Sequence, residues 1–252
     1  MIEIMLLLLI GSLSGFFSGL LGLGGGVVLI PLLIYGAGLD ISSAAAVSMV
    51  FILFASLSGV LGHYRLGNIK SQIGILMGAA SLAGSFFAGY YSGMIPEFVL
   101  QLLFIMVVVS AALMLLQNRT NIYSKEEKPV KIIPTVLIGF LKGVLTGMLG
   151  IGGGFIVVPL MIYFLGLPIH HAIGTSLVVN FLAAIAGISG KFVALDLELG
   201  LTWWVIAASI PGVQVGCHMA SKASPRMLRY FLLILLIIIL ISMLYDLSLF
   251  FA

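Results

Sequence analysis

Sliding the chain along itself by 128 residues lays its first half on its second without a gap. Gly19-Leu20-Leu21-Gly22-Leu23-Gly24-Gly25-Gly26 falls on Gly147-Met148-Leu149-Gly150-Ile151-Gly152-Gly153-Gly154. Pro31, Tyr35, Gly38, Ala44, Ser48, Gly59 and Gly62 then fall on Pro159, Tyr163, Gly166, Ala172, Ser176, Gly187 and Gly190. Between residues 15 and 62, 20 of 48 aligned positions are identical. A composition rich in Leu, Val and Ile does not by itself align Gly, Pro and Tyr at fixed spacing. The chain is a duplication, and whatever it folds into must be built twice.

The repeated unit is apolar. A membrane helix needs about 17–25 apolar residues, and such runs cover roughly 4–22, 41–63, 71–92 and 97–116, then roughly 132–149, 169–190, 199–221 and 226–250. Charged residues are 8% of the chain, against roughly 25% in a soluble domain, too few to cover a hydrated surface. The expected fold is an all-α polytopic membrane protein of two homologous halves, each with four full helices and one short broken or re-entrant helix. The net charge of +3 and pI near 9.0 rest on only 11 Lys and Arg. That excludes a nucleic-acid partner, which needs a basic hydrated face. The single cysteine, Cys217, excludes a disulfide framework and a Cys-based metal cage. Met1-Ile2-Glu3-Ile4-Met5 lacks the basic start of a secretory signal, so the first apolar run reads as a retained helix.

The first membrane repeat covers 1–117 and the second 131–252. Between them, 118–130 holds Arg119, Lys125, Glu126, Glu127 and Lys128 and reads as a polar cytoplasmic linker. The short stretches 26–38 and 154–166 admit two topologies. If they turn back, each half crosses four times and the halves run parallel; if they complete a crossing, each half crosses five times and the halves are inverted. Short cytoplasmic loops collect Lys and Arg. The inverted plan puts Arg65, Lys70, Arg119, Lys125, Lys128, Lys131, Lys222, Arg226 and Arg229 on one side and Lys191 on the other. The parallel plan sends Lys222, Arg226 and Arg229 to the opposite side and is less asymmetric, so charge favours inverted repeats. Length weighs against them, because 13 residues of helix rise about 20 Å and the hydrocarbon core is ~30 Å. Such a crossing would be a recessed half-helix.

Gly24-Gly25-Gly26 and Gly152-Gly153-Gly154 are poor helix interiors, at up to about 1 kcal/mol per Gly relative to Ala. Repeated in both halves and followed at equal spacing by Pro31 and Pro159, they read as helix breaks or hinges. A helix that restarts after a break presents free N–H groups and the positive end of its dipole, and glycine lets an anion approach them. Inverted breaks would converge near the middle, where secondary transporters hold substrate. The Gly11, Gly15, Gly19 ladder reads instead as close helix packing.

Inside the spans, Lys142 is the one basic residue away from a helix end, and no acidic residue lies at membrane depth. It either snorkels to the headgroups or serves as the counter-ion of an anionic substrate. Thr175, Ser176 and Asn180 either donate hydrogen bonds to that anion or bridge neighbouring helices. His171, beside His170 at an interface, is a candidate proton relay, with a solvated role as the alternative. No catalytic residue, metal site or cofactor is expected, since no Gly-x-Ser-x-Gly, His-Glu-x-x-His or paired carboxylates occur.

The doubled 19–26 and 147–154 motifs, their downstream prolines and Ala172-Ile173-Gly174-Thr175-Ser176-Leu177 resemble the TauE/SafE family over nearly the whole chain. The resemblance implies a bacterial or archaeal cell-membrane permease that moves small sulfur-containing anions such as sulfite or sulfonates, usually outward. Ala45-Ala46-Val47-Ser48 stands where the second half has Ile173-Gly174-Thr175-Ser176, which implies unequal contributions from the halves. The resulting expectation is an anion transporter working by alternating access between its two repeats, with the anion and the lipid bilayer as partners; homo-oligomerisation stays open. A membrane-embedded enzyme and a structural membrane subunit are the competing readings.

Overall fold

A computed structural model describes residues 2–39, 41–91, 97–116, 132–149, 152–192 and 202–250. The linker expected at 118–130, together with Gly150 and Ile151 of the second glycine motif, lies outside the described residues. The first half forms α1 (Ile2–Leu21), α2 (Gly26–Pro31), α3 (Ile41–Arg65), α4 (Ser71–Tyr91) and α5 (Glu97–Leu116). The second forms α6 (Ile132–Leu149), α7 (Gly154–Leu165), α8 (Ile169–Phe192), α9 (Thr202–Lys222) and α10 (Pro225–Phe250). Four long helices and a short one thus occur twice, with no strand among the described residues. Of the described residues, five helices (α1, α3, α4, α8 and α10) are long and apolar enough to cross a membrane. Large side chains stand exposed along α10 (Ile234, Ile237, Ile238, Ile241), α6 (Leu137, Phe140, Leu141) and α4 (Phe86, Phe87). A water-facing surface rarely carries apolar area on that scale; a multi-pass membrane protein does.

The repeat is visible down to single hydrogen bonds. Gly38 and Gly166 both end their short helices in the left-handed region, at φ 70° and 67°. One residue later the Leu39 N–H bonds to the Leu33 carbonyl at 3.1 Å, and the Leu167 N–H to the Met161 carbonyl at 3.3 Å, the same closure over six residues made twice. The prolines behave differently from the expected breaks. Pro159 sits inside an unbroken α7, while α2 widens after Pro31 into a π-helical turn, Leu32–Gly36. Proline removes one backbone donor, which a wider turn accommodates. The breaks themselves lie upstream, at the glycines.

Packing crosses between the halves. Gly11, Gly15 and Gly19 of α1 meet the backbone of Val205, Ser209 and Val213 in ascending order, so α1 and α9 run parallel in near-backbone contact. The repeat equivalents do the same: Gly139 and Gly143 of α6 meet Met77 and Ser81 of α4. Small residues allow this approach, and dispersion rather than hydrophobic transfer stabilises it in lipid. By the same reading α3 is parallel to α9 (Gly59 on Val213, Gly62 on Cys217) and α4 to α8 (Gly74 on Val178, Gly78 on Leu182). The equivalent helices α3 and α8 cross antiparallel, with Gly59 on Leu177 and Gly187 on Met49. Since α1 and α3 therefore share a direction, the residues between them carry the chain back. It turns at Gly22, beside Ile173 and Ser176, and α2 starts level with Ser48 and Ile52, halfway along α3.

Candidate substrate site

Five glycines of the two breaks hold φ between 55° and 82°: Gly22, Gly24, Gly25, Gly152 and Gly153. L-residues adopt that region at a cost, which is why the turn-backs are spelled in glycine. The breaks converge. A Cβ on Gly154 would lie 2.5 Å from the Gly22 oxygen and 2.7 Å from the Leu23 carbonyl carbon, and one on Gly152 would lie 3.6 Å from the Leu23 oxygen. Their neighbours exchange under the repeat. Asn180 abuts Gly24 and Gly154, whereas Ile52, its equivalent, abuts Gly152 and Gly26.

The two breaks differ in charge. Lys142 is 1% exposed, and its Nζ is buried without a hydrogen-bond partner among the described residues. Snorkelling is therefore not what this side chain does. Thr146, one turn further on the same face of α6, is also buried, its Oγ1 without a hydrogen-bond partner among the described residues. Both flank the second break: a Cβ on Gly153 would lie 3.0 Å from Thr146 Oγ1 and 3.3 Å from Lys142 Cε. Gly153 is the residue before α7, whose twelve residues open with Ile156 and Val157 N–H groups folded back on the Gly153 oxygen. The Gly154 N–H ahead of them has no acceptor inside the helix. An ammonium, a hydroxyl and a helix N-terminus thus meet in a water-poor interior. The equivalents of Lys142 and Thr146 are Ser14 and Ser18, uncharged and buried, their hydroxyls without partners among the described residues, and α2 is only six residues long. The arrangement suits one anion, at the second break.

Not all the expected donors reach it as donors. Ser176 Oγ donates to the Gly22 carbonyl and shares its proton with the Ile173 carbonyl, both at 2.7 Å. Asn180 Nδ2 donates to the same Gly22 carbonyl at 3.1 Å. These two side chains close the C-terminal end of α1, bridging the halves. Thr175 is engaged elsewhere: its Oγ1 accepts the Lys70 N–H at 3.0 Å, just ahead of α4. The helix-bridging alternative describes Thr175 and Ser176; Asn180 both bridges and borders the break. His171 is half-buried at the start of α8, and the neighbouring His170 ring bonds to the Ala223 carbonyl at 3.1 Å.

Sequence reasoning passed over Thr146, which the i, i+4 spacing from Lys142 would have flagged. It also passed over His63, fully buried near the end of α3. The Gly19 carbonyl, 2.9 Å from His63 Nε2, can only accept, so that nitrogen carries the proton and Nδ1 faces Asn68 Nδ2 at 3.5 Å. Among the described residues no three His, Cys, Asp or Glu side chains gather as metal ligands.

Comparison with known families matches residues 7–243 to "Sulfite exporter TauE/SafE". A Bacillus subtilis protein described as a probable membrane transporter protein is 32% identical over 86% of this chain and 90% of its own length. A Haemophilus influenzae protein so described is 31% identical over 75% of this chain and 72% of its own. One from Methanocaldococcus jannaschii is 25% identical over 90% of each. No solved structure matches.

Proposed function

The chain belongs to the sulfite exporter TauE/SafE family and is a multi-pass membrane transporter; on that premise we propose that it carries a small sulfur-containing anion, sulfite or a sulfonate, outward across the cell membrane. The observation that carries this reading is Lys142, buried beside the N-terminal end of α7 without a hydrogen-bond partner among the described residues. A cation taken out of water costs several kcal/mol, and an anionic substrate offsets that cost. A substrate bound this way replaces its hydration shell with Lys142, Thr146 Oγ1 and the Gly154 N–H.

In the proposed topology the halves are inverted in the bilayer, with α2 and α7 each completing a return crossing after an unwound stretch. The parallel directions of α1 and α3, and the antiparallel α3 and α8, support it. So does the gathering of Arg65, Lys70, Lys222, Arg226 and Arg229 at one end, which the positive-inside rule assigns to the cytoplasm. Alternating access then does not rock one sequence half against the other. The glycine contacts tie α1 to α9 and α6 to α4 across the halves. We place the moving boundary between the α1–α3–α9 group and the α4–α6–α8 group, along the antiparallel α3 and α8, with the breaks on that boundary.

Purified protein in liposomes loaded with sulfite should release it faster than protein-free liposomes, and Lys142→Met should abolish the difference. Release by the variant at the wild-type rate would remove the anion site from α6. Absence of any release of sulfite, sulfonates or sulfate by the wild-type protein would remove the function.

A further inference from the structure

Asn180 has an end that no described residue uses. The Gly22 carbonyl can only accept a hydrogen bond, so the Asn180 nitrogen must face it, as observed at 3.1 Å. That fixes the amide orientation and turns Oδ1 the other way. Asn180 is fully buried, and Oδ1 has no hydrogen-bond partner among the described residues. Its side chain borders Gly154, and Lys142 and Thr146 border Gly153. The recorded neighbours are Asn180 Nδ2 at Gly154 and Lys142 Cε at Gly153; neighbouring Cα atoms are 3.8 Å apart, so the two side chains, one ending in an acceptor and the other in an ammonium, flank the same two residues of chain. The site therefore combines one positive charge with one fixed acceptor.

We infer that the substrate is a monoanion that itself carries a hydrogen-bond donor, and that Asn180 Oδ1 is the residue that selects for it. Resting on the anion reading above, this narrows its substrate class. One cation matches one negative charge, since Ser14, the repeat equivalent of Lys142, supplies no second one. A ligand without a donor leaves Oδ1 buried against a lone pair, and a dianion adds an unpaired charge as well. Sites built to satisfy a polar group reject analogues that lack it much more strongly than apolar pockets reject an extra methylene. Two sources supply the required chemistry: an oxyanion that retains its acidic proton, such as hydrogen sulfite, or an organic sulfonate with a hydroxyl or ammonium group. In the first half Ile52 occupies the equivalent position, so selection is confined to the second break, as the charge is.

The test uses the full chain in liposomes and compares 2-hydroxyethanesulfonate with ethanesulfonate, which differs by the hydroxyl. The expected result is tenfold or greater preference for the hydroxylated anion, with sulfate failing to compete. In Asn180→Leu the ratio should fall toward one, a readout that reduced expression or stability leaves unchanged. Should that variant fail to fold, the wild-type ratio still decides: equal flux of the two sulfonates, or competition by sulfate as strong as theirs, overturns the inference while leaving the anion site intact. Flux of neither sulfonate and competition by no anion overturns both. Hydrogen sulfite, added below and above the pH at which it loses its proton, identifies the source. Competition that vanishes with the proton assigns the oxyanion, and competition by 2-hydroxyethanesulfonate alone assigns the sulfonate.

Discussion

Lys142→Met should push stability and transport in opposite directions. Methionine is similar in length and apolar, so it fills the space beside Thr146 and Gly153 while removing the charge. A lysine at the centre of a membrane helix costs about 2.5–3.5 kcal/mol on insertion scales. Among the described residues no hydrogen bond to Nζ offsets that cost, although the nearby hydroxyl of Thr146 softens it. The variant should therefore be more stable by about 1–3 kcal/mol. At roughly 2–4 °C per kcal/mol for a chain of this size, the melting temperature in detergent rises by on the order of 5 °C, readable from Trp203 and Trp204 fluorescence. Sulfite flux should fall about a hundredfold or more, equivalent to about 2.7 kcal/mol of lost anion stabilisation. A residue kept for structure loses stability when replaced, whereas one kept for substrate loses only function. A Lys142→Met protein that melts lower than wild type, or that transports normally, would refute the assignment.

Gly153→Ala and Gly38→Ala form a matched pair. Both glycines have positive φ, so each substitution costs about 1–2 kcal/mol in the melting curve, but only the Cβ at 153 meets Lys142 and Thr146, while that at 38 meets no described residue within 4 Å. Flux should be lost in the first and kept in the second; equal flux in the two would detach the break from transport. Gly143→Leu forces α6 off the Ser81 backbone and should destabilise by about 1–3 kcal/mol, with lower thermal stability as the readout and an unchanged melting curve as the contrary result. In a Cys217→Ala background, single cysteines at Gly67 and Ser224 should react with an impermeant maleimide from the same side of the membrane. Labelling from opposite sides would favour the parallel plan of four crossings per half.

Much of the fold was legible because its determinants are local. Helix limits follow from apolar runs and from glycines whose positive φ only they adopt cheaply, as at Gly38 and Gly166. The short segments were ambiguous because 13 residues fit either a re-entrant loop or half a crossing. Their direction depends on neighbours, here on α1 and α3 lying parallel to a common partner, α9. Pro31 and Pro159 misled as breaks because proline is tolerated once the helix has started and its lost bond is absorbed by packing or a wider turn. Ser176 and Asn180 were recognisable as polar groups on one helix face, but not as donors to a carbonyl 154 and 158 positions away.

From the sequence alone came the duplication, the membrane habit, the paired glycine breaks and the lone internal lysine, all of them properties of a residue or of its near neighbours. Tertiary structure decided the rest: that α1 pairs with α9 and α6 with α4, that the two breaks meet, and that Asn180 turns its oxygen away from Gly22. The reason is that a buried polar group's role is set by the segment that arrives beside it, and spacing along one helix carries no information about what arrives.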